Sequence, residues 1–240
     1  MPFDVVIKYG TVVDGTGGPR FTADVAIDKG KIAAVGDLSD AEVGHSIDAT
    51  GQVISPGFID MHSHSDVTML DDPGGESKAF QGVTTEVTGN CSYSPYPAGA
   101  AGTETLRAAM GATLRSRAPW TWSTLDGWAE TTEAAGVSLN LAPLVGHGAL
   151  RVASGATEDR PLTDDNLAEM RRLAAEAMEQ GAFGLSTGLT LAPSMYAETD
   201  EIVSVVEAIS PYPEAFYATH ARVWAGWHIK ALEEAAEIGR

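Results

Sequence analysis

The sequence predicts an α/β protein with a parallel sheet, preceded by a small all-β module. Over the first fifty residues, short strand-like runs follow one another between Gly- and Pro-containing turns. Beyond them, apolar strand-like runs alternate with helical ones, which is the pattern of successive βα units. Reactive side chains then collect directly after the strand-like runs, on the face where parallel α/β proteins form their sites. The expected division is a β module over 1–52 and an α/β portion over 53–240.

In the β module, Phe3, Val5, Ile7 and Tyr9 alternate with Asp4, Val6 and Lys8. Asp14-Gly15 and Gly17-Gly18-Pro19 are turn signals. Ala23–Ile27 and Lys31–Val35 flank Asp28-Lys29-Gly30, a hairpin pattern. The strands expected after it are Val53–Asp60, Val83–Thr88, Ser138–Val145, Ala182–Ser186 and Ala215–His220. Helices are expected between them: Leu106, Met110 and Leu114 keep a four-residue spacing, and Leu125 and Trp128 follow a candidate N-cap at Ser123. Thr163 precedes a helix over Asp164–Gln180 with Leu167, Met170, Leu173, Ala174 and Ala177 on one stripe and Gly181 as its stop. Thr199 precedes another, with Ile202, Val205, Val206 and Ile209 inward. Ala231–Ile238 reads as a last one. Five βα units are too few to close an eight-stranded barrel, which points to a fragment or to a partner that completes the fold.

Composition narrows the class. The 240 residues, 44% of them hydrophobic, suffice for a sizeable core, and the formal net charge is −18. Such a charge repels nucleic acid and anionic membrane surfaces. A single cysteine, Cys91, excludes an internal disulfide framework. The start has no basic segment followed by an apolar stretch, and no run of about 18 apolar residues occurs, so a cytoplasmic protein is expected.

The most informative segment is Val53-Ile54-Ser55-Pro56-Gly57-Phe58-Ile59-Asp60-Met61-His62-Ser63-His64-Ser65-Asp66. Side chains alternate faces along a strand, so His62 and His64 point the same way and make half of a divalent metal site. Cys91 follows the second strand of the α/β portion and His220 ends the fifth. Imidazole and thiolate both suit zinc, and His62, His64, Cys91 and His220 are the expected ligands. Asp60 and Asp66 fall on the face of the histidines by period-two spacing, where either can orient a ligand. His147, between Gly146 and Gly148, reads as a substrate contact, as a residue that supports a ligand from behind, or as a turn residue. Arg222 reads either as a bidentate partner for a substrate carboxylate or as a surface residue. His45 and His228 read as surface residues. None of the five lysines (Lys8, Lys29, Lys31, Lys78, Lys230) ends a strand, which disfavours a carbamylated lysine between two metals and favours the Cys91 thiolate as a bridge. No phosphate loop and no Gly-x-Ser-x-Gly elbow occurs.

Pro56-Gly57-Phe58-Ile59-Asp60-Met61-His62-Ser63-His64 resembles the metal-dependent amidohydrolase superfamily. Gly82-Val83-Thr84-Thr85, Gly89-Asn90-Cys91, Val145-Gly146-His147-Gly148, Gly184-Leu185-Ser186-Thr187-Gly188-Leu189, Met195-Tyr196-Ala197 and Thr219-His220-Ala221-Arg222 narrow the resemblance to the N-acyl-D-amino-acid deacylases (D-aminoacylases), in family order across nearly all of the chain. The resemblance implies a distorted (β/α)8 TIM-like barrel with a β-sandwich built from both chain ends, one or two zinc ions, and hydrolysis of an N-acyl amino acid at its amide. It implies that His62 and His64 bind one metal position, that His220 helps bind the other, and that Cys91 contacts or bridges both. Three departures accompany it. The family's next metal histidine has no place before Arg240, the general-base aspartate of the last barrel strand is not present in this chain, and Leu191 stands where a substrate-holding tyrosine is common. Alternative readings are an amidohydrolase of cyclic amides or dipeptides, and a truncated, non-catalytic chain that binds a metal or a partner. The partner expected is a small molecule, with room for an oligomer.

Overall fold

The computed structural model describes residues 2–222, 226 and 228–240. The first compact unit ends at Gly57 and the second runs from Phe58 to Arg240. The first is a five-stranded sheet of β1 (Phe3–Val12), β2 (Phe21–Asp28), β3 (Lys31–Gly36), β4 (Val43–Asp48) and β5 (Val53–Ile54). The order is β3-β2-β1-β4, with β5 also on β1. β2 and β3 form the expected hairpin, and its turn residues Lys29 and Gly30 both have positive φ, 51° and 72°, as a type I′ turn requires. Val12, Ala23 and Val25 supply its core.

The second unit alternates strands and helices: β6 (Phe58–Asp60), α1 (Glu76–Ala79), β7 (Val83–Thr88), α2 (Thr103–Met110), α3 (Leu125–Ala135), β8 (Asn140–Pro143), β9 (Val145–Gly146), α4 (His147–Ala153), α5 (Asp164–Glu179), β10 (Gly184–Gly188), α6 (Thr199–Ile209), β11 (Phe216–His220) and α7 (His228–Ile238). All of its strand pairs are parallel. They form two three-stranded sheets, β6-β7-β8 and β11-β10-β9. Single bonds join the sheets, Leu144 N to Thr88 O (3.0 Å) and Phe183 N to Pro143 O (2.8 Å). No closed barrel forms among the described residues, and none of their helices is long and apolar enough to cross a membrane.

Two layers of apolar side chains hold this unit. Leu106 and Met110 of α2, Trp128 of α3, Leu150 of α4, Met170 of α5 and Val205 of α6 bury together on the helical side of the strands. Val87, Ala142 and Leu144 pack with Phe216 and Ala218. Their neighbours Leu141 and Tyr217 join the helical layer, so the second cluster lies on the opposite strand face.

Several local expectations change. The run Val53–Asp60 is two strands, because Pro56 lacks the N–H a ladder needs; β5 pairs with β1, and β6 with β7. In the second piece Phe58 and Ile59 are 62% and 60% exposed, at the end of the β6-β7-β8 sheet. The run Ser138–Val145 divides at Leu144, with β8 on β7 and β9 on β10. The cap of α3 is Thr124, not Ser123, and Thr199 is the first residue of α6 rather than its cap. Thr163 caps α5 as expected, in a reciprocal box with Asn166. Helix α4 had no sequence signal. All seven of its residues are buried, so it carries no amphipathic stripe.

Trp128 ties α3 to the loop after the histidine pair, its indole N–H donating to Asp66 O at 2.8 Å. Trp128→Ala is expected to cost about 3–5 kcal/mol, the loss typical of a buried aromatic, read as a lower urea midpoint in the protein.

Candidate metal centre

After a bend at Met61 and His62 the chain runs beside β7 once more. Ser63 N donates to Val87 O at 3.1 Å, which extends the pairing with β7. Ser63 and Ser65 turn to buried Glu86, Ser63 Oγ at 3.3 Å and Ser65 Oγ in a short hydrogen bond. His62 and His64 turn the other way, their rings edge to face with centroids 5.3 Å apart. Two serines on one carboxylate thereby aim two imidazoles at a common place.

Cys91 arrives from the end of β7 through a left-handed turn. Gly89, Cys91 and Ser92 have φ of 75°, 54° and 73°. A non-glycine residue held there costs about 1–3 kcal/mol, and two in succession persist only when surroundings over-determine them. Here they do. Gly89 N donates to Asp66 Oδ1 at 2.5 Å, and Ser92 N donates to Ser186 Oγ at 3.1 Å. Two glycines admit the turn: a Cβ on Gly188 would lie 2.4 Å from Cys91 O, and one on Gly146 would lie 2.3 Å from Ser92 O. The glycines around His147 thus make room for the Cys91–Ser92 backbone rather than for a ligand.

The turn presents Cys91 Sγ 3.2 Å from His62 Nε2 and 3.7 Å from His220 Nδ1, at the end of β11. The ligand atoms of His62, His64 and Cys91 all lie within 4.8 Å of one another. On its other side, His220 Nε2 is 3.1 Å from Thr190 Oγ1. A proton on Nε2 donated to Thr190 leaves Nδ1 bare toward the sulfur. An acceptor on the remote nitrogen is how metal-binding histidines are oriented, usually a carboxylate, a backbone carbonyl or water; here a hydroxyl takes that place.

This donor set fits a divalent cation. Tetrahedral zinc with bonds of about 2.3 Å to sulfur and about 2.0–2.1 Å to nitrogen separates S and N by about 3.6 Å, and the two observed separations bracket that value. Burial lowers the pKa of the His64 ring, with His62 and His220 adding to the effect, which favours the neutral form a metal takes. Burial pushes the Cys91 thiol up, a charge cost that a bound cation removes. His64 Nδ1 is buried with no hydrogen-bond partner.

The carboxylates are placed differently from their spacing. Asp60 is not on the face of the histidines: it pairs with Lys78, which also lies 3.3 Å from Glu86, and takes His62 N at 3.1 Å. Strand geometry ends at Asp60, so alternation does not carry through it. Asp66 is fully buried under the Cys91 turn. Burial, aided by the nearby Glu86 charge, raises its pKa from 3.8 to about 7.

The expected substrate contacts are engaged within the protein. His147 is fully buried, its Nδ1 2.9 Å from Ser194 Oγ, so it is neither a turn residue at the surface nor open to a substrate. Arg222 donates to Glu234 at 3.3 Å and to the carbonyls of Met195 (3.2 Å) and Ala197 (2.7 Å); a substrate carboxylate would have to displace Glu234. Leu191 is half-buried beside Gly188. Glu86, Ser92, Ser186, Thr190 and Ser194 were not anticipated, since single hydroxyls and one strand carboxylate have no periodic signature.

A model of the amidohydrolase family matches residues 45–220. An N-acyl-D-aspartate deacylase from Alcaligenes xylosoxydans xylosoxydans is 39% identical over 99% of the chain, which covers 47% of that protein. Among solved structures, a D-aminoacylase superposes with a TM-score of 0.89 at 39% identity, over all of the chain and 49% of its own length. An N-acyl-D-glutamate deacylase from Bordetella bronchiseptica, complexed with zinc and a phosphonate mimic of the tetrahedral intermediate, superposes with a TM-score of 0.89 at 32% identity, again over 49% of its length. The chain therefore spans about half the length of the relatives it matches.

Gly188→Ala is expected to force the Cys91 carbonyl away and to destabilise by about 1–3 kcal/mol, measured by thermal denaturation. Asp66 gives a pH dependence. Its carboxyl is protonated more readily in the folded state than in the unfolded chain, so its contribution is fully present below pH 3.8 and is lost as pH rises through about 7. Metal-stripped protein should lose up to about 4 kcal/mol from this group over that range, and Asp66→Asn should flatten that part of a urea-midpoint profile.

Proposed function

Because the chain belongs to the amidohydrolase family, we propose that the protein it forms is a zinc-dependent hydrolase of N-acyl-D-amino acids, releasing a D-amino acid and a carboxylate. The observation that supports this reading is that the ligand atoms of His62, His64 and Cys91 lie within 4.8 Å of one another, with His220 Nδ1 3.7 Å from the Cys91 sulfur. The end-to-end likeness to D-specific deacylases supports the substrate class. We take β6 to β11 with their helices as the first part of a (β/α)8 barrel in a cytoplasmic enzyme. By family resemblance, the remaining metal histidine and the general-base aspartate come from strands beyond this chain.

In this reading His62, His64 and His220 offer neutral imidazole lone pairs and Cys91 offers a thiolate, as contact to one ion or bridge between two. When bound, zinc supplies Lewis acidity, acidifying water and polarising an amide carbonyl. An amide needs both, having a weakly electrophilic carbonyl and a poor leaving group. The chain's own residues set the geometry. Glu86, through Ser63 and Ser65, fixes the histidine pair, and Thr190 holds the His220 ring. His62 and His220 are exposed. In the net reaction water adds its oxygen to the acyl carbon, the C–N bond breaks, and both water protons leave on the amine as an ammonium, with the acyl group left as a carboxylate.

The test is a panel of N-acetyl-D-amino acids, N-acetyl-L-amino acids and a hydantoin, run on the whole protein. The D series is expected to be the preferred one. Chelation of the metal, or Cys91→Ala, should each lower kcat/KM about a thousandfold, the equivalent of about 4 kcal/mol. A rate that survives metal stripping would overturn the reading, and a preference for hydantoin would reassign the substrate.

A further inference from the structure

The hydrolysis just proposed leaves one chain of buried polar groups unused. It begins at Ser92, next to the candidate ligand Cys91, and every polar group of Ser92 is engaged. Besides its N–H to Ser186, its carbonyl accepts from Ala149 N at 3.3 Å. Its hydroxyl accepts from Gly188 N at 2.5 Å and donates to Ser194 Oγ at 2.8 Å. Ser194, already receiving that proton, has its own hydroxyl hydrogen left for His147 Nδ1 at 2.9 Å. That bond places the ring proton of His147 on Nε2, which faces Glu201 Oε1 at 3.0 Å, although outside hydrogen-bond geometry. Glu201 is held in turn by Arg151 Nη1, 2.8 Å from each carboxylate oxygen. Ser194, His147 and Arg151 are completely buried, and Ser92 nearly so.

We propose that this chain is a strut, with His147 as its positioning residue, that fixes the left-handed Cys91–Ser92 turn and so sets where the Cys91 sulfur stands relative to His62 and His220. The physical reason is directional. Burying a line of polar groups stabilises less than an apolar core of the same volume would, but a hydrogen-bonded line defines one geometry where apolar packing tolerates several. The line ends on a residue whose backbone is in a region that needs outside support. Its hydrogen-bonded part runs from Ser92 through Ser194 to His147 at the start of α4, and beyond it Glu201 of α6, held by Arg151, lies 3.0 Å from His147 Nε2. The proposal rests on the reading of the cluster as a metal centre and is independent of which acyl amino acid is cleaved.

The test uses the whole protein, loaded with cobalt(II) in place of the native metal. Three quantities are read: cobalt affinity, the near-ultraviolet thiolate-to-cobalt absorption, and, in metal-free protein, the alkylation rate of Cys91 followed on its own peptide by mass spectrometry. His147→Leu removes the acceptor for Ser194, Ser194→Ala breaks the line with a smaller change, and His147→Asn keeps an oxygen acceptor at the δ position. His147→Leu and Ser194→Ala are expected to weaken cobalt binding about tenfold or more, to diminish the thiolate absorption, and to speed alkylation of Cys91. His147→Asn should recover most of all three. Folded variants that keep affinity, absorption and alkylation rate within twofold of the parent would overturn the strut, since a residue of merely structural value lowers the melting temperature and leaves these readings alone. Should His147→Leu not fold, Ser194→Ala against the parent decides the same question. A protein that hydrolyses no member of the substrate panel yet binds cobalt through Cys91 defeats the proposed reaction without touching the strut. A protein that binds no cobalt is judged by alkylation, and an unchanged rate there overturns the strut as well.

Discussion

The site depends on a turn that the chain would not adopt by itself. Cys91 and Ser92 sit consecutively in left-handed conformation, a state that L-residues avoid because Cβ crowds the following carbonyl. The surroundings hold it through Asp66 on one side, Ser186 on another, and glycine backbones at 146 and 188 close enough to exclude any side chain. The geometry of the sulfur is thus a property of β7, β9, β10 and the loop after β6 together. The sulfur is thereby braced from several sides, while His62 and His220 are exposed.

The same division of labour runs through the other ligands. Each candidate ligand has a neighbour that orients it and is itself no ligand: Glu86 acts on the histidine pair through two serines, and Thr190 acts on His220. Two buried carboxyl residues near the site have different surroundings. Glu86 is ringed by hydroxyls and the Lys78 ammonium. Asp66 receives backbone N–H groups only, and burial dominates its titration. Desolvation raises a carboxyl's pKa, which is the direction Asp66 takes.

Much of the fold was legible. Strand β7, strand β11, the hairpin at Lys29-Gly30 and the capped helix after Thr163 stand where periodicity and turn residues put them, because each is decided by interactions among near neighbours. The histidine pair was legible for the same reason, period-two spacing beside a strand end. Less was visible where long-range contact decides. The split of Val53–Asp60 follows from which sheet each half joins, and Phe58 and Ile59 are exposed at the end of the β6-β7-β8 sheet. Helix α4 escaped because total burial erases the stripe that marks a surface helix.

His147 shows where reading a sequence stops. The Gly-His-Gly triplet says that backbone must pass close to something, and it does not say what. The structure fills that space with the carbonyl of Ser92 and turns the imidazole into the interior, toward Ser194 and Glu201. The sequence alone determined the chemistry on offer: two alternating imidazoles, one sulfur, a further imidazole at a strand end, and an acidic surface. Tertiary structure decided which of these meet, because residues 29 and 129 positions apart from Cys91 reach it only when parallel strands bring their ends to one side.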